Sequence, residues 1–445
     1  MPRHAVMAGI AGLALVLAAV PLASAATTHV STDPFTQATC AASTTTNHHT
    51  EVEPDTYSNG STIVATFQVG RIYDGGACAI GFATSTNNGA NWTTNGLLPG
   101  ITKWTGNGPN DRATDASVTY DAKHGVWLIS SLTLIEAGGV HGNSVVTSRS
   151  ADGLTWSSPF TTATGGDLDK NWIVCDNTST SQFYGNCYTE WDDHGAGNLL
   201  QMSTTSDGGQ TWAPAASNGS GVIGGQPLVE PNGTVIVPID NANETAVGAF
   251  NSTNGGSSWS PTTTIATIRH HTVAGSLREG PLPSAEIDAA GTVYVAWADC
   301  RFRRSCRTND VVVSHSLNAT GTSWSAVSRV PIDSTNSGID HFIPGLAVNK
   351  STSGGTAQLG LTYEFGSDGL AHGVFATASG PTSGTSCGSV LDNCAEPMDT
   401  FVSGLATASV SSTADPVLFG ATGLTMRTTS GISWTTTAAS TVTSS

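Results

Sequence analysis

Positive charge is what this chain has least of. Four lysines and twelve arginines stand against 33 acidic residues, a formal net charge of −17 over 445 residues. That balance excludes a nucleic-acid footprint, which needs basic patches, and offers no attraction to an anionic membrane surface. Long hydrophobic runs are missing too. After Ala8 to Val20 nothing is long enough to span a bilayer, and no segment beyond it has a helical period. C-x-x-C and H-E-x-x-H are absent, which argues against a structural zinc site and a zinc protease.

The N-terminus reads as a secretory signal. Arg3 and His4 precede the apolar run, and Ala23-Ser24-Ala25 is a small-residue cleavage site. Export and cleavage after Ala25 are expected, leaving one domain over residues 26–445. Eight cysteines fit an oxidising destination. Pairing in sequence order (Cys40 with Cys78, Cys175 with Cys187, Cys300 with Cys306, Cys387 with Cys394) closes each loop within or beside one repeat.

Repeats organise the rest. Short runs rich in Val, Ile, Thr and aromatics, such as Ser61–Gln68, Gly125–Leu134, Gly233–Ile239 and Gly291–Trp297, are bounded by Gly, Asn, Asp and Pro, as strands are. Each is followed by a second run ending in a box of Ser/Thr, Asp/Asn, Gly and Trp. Five copies are clear: Ser85–Trp92, Ser150–Trp156, Thr205–Trp212, Ser252–Trp259 and Ser316–Trp324. A sixth, Thr428–Trp434, has Ser430 where the others have Asp or Asn, and one near Ser379–Gly384 lacks its Trp. From Trp92 to Trp434 is 342 residues, a mean of 57 over six intervals. That is the length of four short strands and their turns, the size of a propeller blade. The fold expected is therefore all-β, a propeller of four-stranded blades, with seven blades preferred and six the alternative. Within each box the Gly supplies a positive φ, the Asp/Asn and Ser/Thr side chains take up backbone donors, and the Trp offers an apolar face between sheets. This is a structural device and carries no chemistry.

The boxes resemble the Asp-box, or BNR, repeats of the sialidase-like β-propellers. The resemblance implies that the boxes lie on the face away from the active site. Functional residues would then sit near the starts of innermost strands and the ends of second strands. It also implies three arginines around a substrate carboxylate, an acid for protonation, and a tyrosine nucleophile assisted by a glutamate. The F-R-I-P signature of that family is absent; Gly70-Arg71-Ile72-Tyr73-Asp74 keeps only Arg-Ile.

With that polarity, Arg71, Arg112, Arg278 and Arg301 are the candidate carboxylate-binding arginines, because a guanidinium fork matches a carboxylate bidentately. Asp340 and His341 join them as substrate-binding candidates. Glu53, Asp115 and Glu279 are the candidate proton-transferring acids, and Tyr363, next to Glu364, the candidate nucleophile. Adjacent strand residues point to opposite faces, however, so Tyr363 and Glu364 are poorly placed to act side by side. The leading expectation is a secreted exo-α-sialidase-like hydrolase that removes a terminal acidic sugar from a glycan, with no cofactor or metal. One alternative is a uronate-directed lyase using histidines among His48, His49, His141, His194, His270, His271 and His341. The other is a non-catalytic glycan- or protein-binding propeller.

Overall fold

The computed structural model describes residues 30–41, 46–47, 51–92, 94–275, 279–366 and 371–379, with short pairs at 409–410, 427–428 and 432–433. Among these the chain runs as antiparallel meanders. The first sheet is β2 (Val52–Asn59), β3 (Thr62–Ile72), β4 (Ala77–Ser85) and β5 (Thr94–Leu97), with the short β1 (Thr46–Asn47) against the end of β3. The second is β6 (Arg112–Asp121), β7 (Val126–Ile135), β8 (His141–Ser150) and β9 (Phe160–Thr164); a single Ala77–Ala113 pair links it to the first. The third is β10 (Leu168–Cys175), β11 (Cys187–Asp193) and β12 (Leu199–Thr205), extended by bridges from Met202 to Ala216 and from Leu199 to Gly221.

The fourth sheet comprises β13 (Val222–Gly225), β14 (Leu228–Val229), β15 (Val235–Asn241), β16 (Ala246–Ser252) and β17 (Thr263–Thr267), with β13 and β14 both on β15. The fifth is β18 (Ser284–Ile287), β19 (Val293–Asp299), β20 (Asp310–His315) and β21 (Ser328–Arg329). The sixth is β22 (Asp340–Val348), β23 (Gln358–Gly366), β24 (Ala371–Ser379) and β25 (Ser409–Val410). A separate pair, β26 (Arg427–Thr428) and β27 (Ile432–Ser433), overlaps the Thr428–Trp434 box. The described residues thus hold six meander sheets where seven blades were preferred. The rest of the segment expected to form a seventh, with Cys387 and Cys394, lies outside the described residues. So does the expected signal peptide.

Consecutive sheets pack face to face, so central strands are covered on both sides. β7 is buried from Val126 through Leu134 and reads as a nearly unbroken run of apolar and small residues. The outer strands β9 and β17 are Thr-rich and half-exposed. Val64, Ile80 and Phe82 of the first sheet share one core with Val118, Trp127 and Val146 of the second. Tyr188 and Met202 meet Val235 and Phe250 across the third and fourth, Ile236 and Val247 meet Val295 and Trp297 across the fourth and fifth, and Tyr294 meets Leu346 and Tyr363 across the last two. Disulfides Cys40–Cys78, Cys175–Cys187 and Cys300–Cys306 match the sequence-order pairing.

The boxes are the turns after β4, β8, β12, β16 and β20. In the second, Ser150 Oγ accepts the Gly153 amide (2.8 Å), and Asp152 Oδ1 accepts those of Leu154 and Thr155 (both 2.8 Å). Thr205/Asp207 and Ser252/Asn254 repeat the pattern. The second to fifth turns also dock on the preceding sheet: Thr84 Oγ1 of β4 donates to Gly153 O (2.5 Å), and Gly209, Gly256 and Gly321 lie against Leu128, Tyr188 and Ile236. Gly256, at φ 82°, lies so close to Thr204 and Tyr188 that a Cβ there would run into the Thr204 hydroxyl. Glycine here serves both the turn and the joint between sheets.

Candidate functional site

The innermost strand of five sheets carries one extra residue at the same place. Pairing skips between Val52 and Asp55, Thr114 and Ser117, Asp169 and Trp172, Val222 and Gly225, and Phe342 and Gly345. Each skip is a β-bulge, a device that re-aims side chains and bends a strand. In four of them the first extra residue is left-handed without being glycine: Glu53 (φ 53°), Asp115 (50°), Lys170 (58°) and Ile343 (45°). Such a conformation costs a non-glycine residue about 1–2 kcal/mol. In the remaining one, Ile223–Gly224, Gly224 takes the positive φ (79°).

These bulges converge. Glu53, Asp115, Lys170, Gly224 and Ile343 line one cavity, joined by Pro283 just ahead of β18. All six innermost strands therefore contribute to it. Much of its wall is apolar, from Trp172, Ile223, Pro238, Leu282 and Pro344, and its ionisable groups are Glu53, Asp115 and Lys170. A largely apolar cavity with a few convergent polar groups is the usual form of a small-ligand site.

Glu53 and Asp115 are tied through one hydroxyl. Thr114 Oγ1 lies 2.6 Å from Asp115 Oδ1 and 3.5 Å from Glu53 Oε2, and Gln68 Nε2 donates to Thr114 Oγ1 (2.8 Å) and to Glu53. The Lys170 amide donates to Asp115 Oδ2 (3.1 Å). Burial, reinforced by the Glu53 charge, pushes the Asp115 carboxyl up to about 7. Asp115 can therefore hold a proton near neutrality, the state a general acid needs.

A second polar group sits beside Lys170. His194 Nε2 lies 3.1 Å from Asp169 and 3.4 Å from Asp192. The Asp169 hydrogen bond raises the imidazole to about 9. Burial works against ionising Asp169, yet the His194 hydrogen bond and the Lys170 charge hold it below the ordinary carboxylate value. Asp192 is pushed up to about 7 by burial and then by Asp169. Behind the Gly224–Gly225 wall, Glu190 accepts the Gly225 amide (3.1 Å), and burial raises its carboxyl well above the ordinary value.

The other expected site residues fall elsewhere. Arg112 is fully buried, with Nε on Glu136 (2.8 Å) and one terminal nitrogen on Asp74 (2.5 Å) and Gly75 O (2.8 Å). Arg71 is buried against the carbonyls of Ile72 and Gly76. Arg301 grips Asp299 through Nε (2.9 Å) and Nη2 (2.7 Å) and reaches Thr267 O. None of these three lines the cavity, and Arg278 lies outside the described residues. Glu279 accepts the Val273 amide (3.0 Å) and pairs with His270 (2.8 Å); Asp340 accepts the Asn309 amide (2.6 Å) and pairs with His271 (3.1 Å). These form a buried polar cluster around Asn309, apart from the cavity lining.

Tyr363 is buried in the core between the fifth and sixth sheets, edge-on to His341 at 5.5 Å, and burial raises its phenol. Burial lowers His341 to about 4. Asp310, Asp333 and His341 are spaced like metal ligands, but Arg303 and Arg329 lie 2.5–2.8 Å from both carboxylates. That charge-balanced cluster would set two guanidinium groups against a cation. His48 and His49 lie outside the described residues.

Of the three candidate acids, Glu53 and Asp115 come together and Glu279 does not. Lys170 adjoins Asp167 and Asp169 in a charged run at a strand start, whereas Trp172 has no sequence signal beyond its strand. No family model matches the chain, and no curated protein matches it. Among solved structures it is similar to Hadza microbial sialidase Hz136 (16% identity over 74% of this chain and 65% of that one, TM-score 0.45). It is also similar to a leech intramolecular trans-sialidase (11%, 76% and 67%, TM-score 0.48) and an ulvan lyase (12%, 76% and 83%, TM-score 0.48).

Proposed function

We propose that this protein is a secreted glycoside hydrolase whose active site is the axial cavity of a closed β-propeller. The observation that carries the reading is the pairing of Glu53 and Asp115 under the Thr114 hydroxyl, inside a cavity to which all six innermost strands contribute. A pair of carboxyl groups, one of them able to give up a proton, is what glycosidic cleavage through an oxocarbenium-like transition state requires. Asp115 donates its proton to the leaving glycosidic oxygen as the C–O bond breaks. The Glu53 carboxyl faces the positive charge developing on the sugar; water then bonds to the anomeric carbon and its released proton returns to Asp115. Trp172 offers an aromatic face to the C–H surface of a sugar ring, and Lys170 supplies ammonium donors to its oxygens.

An exo-α-sialidase needs guanidinium groups at the substrate carboxylate. Arg71, Arg112 and Arg301 already face protein oxygens, which favours a sugar without a carboxylate clamp over a terminal acidic sugar. Incubation with neutral, sialylated and uronate-rich glycans, read by product mass, tests the proposal. Products carrying one added water support it. Unsaturated products absorbing in the ultraviolet would replace it with a lyase, and affinity without turnover would replace it with a binding propeller.

A further inference from the structure

A left-handed first residue in a β-bulge is ordinarily glycine, because glycine adopts that conformation without steric cost. Here the position is filled by Glu53, Asp115, Lys170 and Ile343. Ile343 is β-branched, for which a positive φ is a genuine outlier. Glycine would satisfy the backbone at each place. What the four have in common is the cavity they line. Their side chains differ in charge and bulk, so packing alone does not account for the set. Non-glycine residues persist in such regions where the conformation serves function.

We propose that the four left-handed bulge residues form a single ligand-contacting ring, in which Lys170 and Ile343 set which glycan is accepted. Lys170 projects the cavity's cationic group, suited to a hydroxyl-rich or anionic substituent. Ile343, with Pro344 beside it, supplies an apolar wall three sheets away from Trp172. A sugar between these walls would have its C–H faces covered and its oxygens directed at Lys170, Asp115 and Glu53. The inference deepens the hydrolase reading but requires only that a glycan occupies the cavity.

The test compares alanine and glycine at Glu53, Asp115 and Lys170. Both remove the side chain, and only glycine relieves the backbone. Each glycine variant is expected to have a higher urea midpoint than its alanine counterpart. At Gln201, inside β12 where the pairing with β11 is unbroken, the order reverses. Ligand contact is read by electrophoresis in gels containing arabinan, polygalacturonate or mucin. Lys170→Ala and Ile343→Ala should weaken the wild-type retardation at least tenfold. Alanine matching or exceeding glycine in stability, a wild type retarded by none of these glycans, or variants retarded like wild type would each overturn the ring. Retardation without turnover would sink the hydrolase reading and leave the ring standing.

Discussion

Asp115 joins three properties in one residue: a place in the cavity wall, a left-handed backbone and a hydroxyl shared with Glu53. Its replacement separates chemistry from folding. Asp115→Asn keeps the shape and an acceptor for the Lys170 amide but cannot give up a carboxyl proton. Its kcat is expected to fall by about 10²–10⁴, the usual contribution of a general acid, with the urea midpoint nearly unchanged. A variant that loses stability in step with activity would make Asp115 structural. Glu53 and Asp115 were readable as candidates because charged residues make up only 11% of this chain and these stand at strand starts. The arginines misled for a related reason. Sequence gives a guanidinium its charge but not its neighbour, and Arg112 meets Asp74 and Glu136, which lie 38 and 24 residues away.

At the scale of elements, the boxes and the bulges differ in what sequence can reveal. A box is local: its hydroxyl, carboxamide or carboxylate accepts amides two to four residues on, so its chemistry is written in consecutive letters. A bulge at a non-glycine residue leaves no such mark, and the ring of four became visible only through strand pairing. The box tryptophans tie sheets together. Trp156 is buried with Trp127 and Val146 of its own sheet and packs 5.8 Å from Phe82 of the preceding one. Trp156→Ala should therefore cost about 3–5 kcal/mol, measured by urea unfolding. A loss under about 1 kcal/mol, the scale of an ordinary surface change, would contradict the wedge role.

The whole molecule carries many buried carboxyls. Burial raises Asp55 to about 7, and it raises Glu230 and Asp240 to about 8, helped by Asp288 and Glu244 respectively. With Asp115 and Asp192, these hold protons in the folded state that the unfolded chain has lost by about pH 5. The folded state therefore binds more protons across this range, and stability falls as pH rises toward 8. His194, raised to about 9, acts in the same direction, its contribution vanishing as pH passes that value. His341 acts oppositely, since a histidine held near 4 costs stability as pH drops below its ordinary value. The urea midpoint should thus decline between about pH 6 and pH 8.5; a rise would mean these acids are ionised in the fold. The repeat count was legible at this scale as seven boxes, and the last two lie largely outside the described residues. Six sheets follow from strand pairing among the described residues.

The central claim, that a proton on Asp115 drives glycosidic cleavage in the axial cavity, is tested most directly by the pH dependence of kcat/KM on a hydrolysed glycan, for wild type and Asp115→Asn. Wild type should lose activity as pH rises through about 7, where Asp115 ionises, and the variant's residual activity should lack that limb. A limb that persists unchanged in Asp115→Asn would assign the proton to another group and contradict the account.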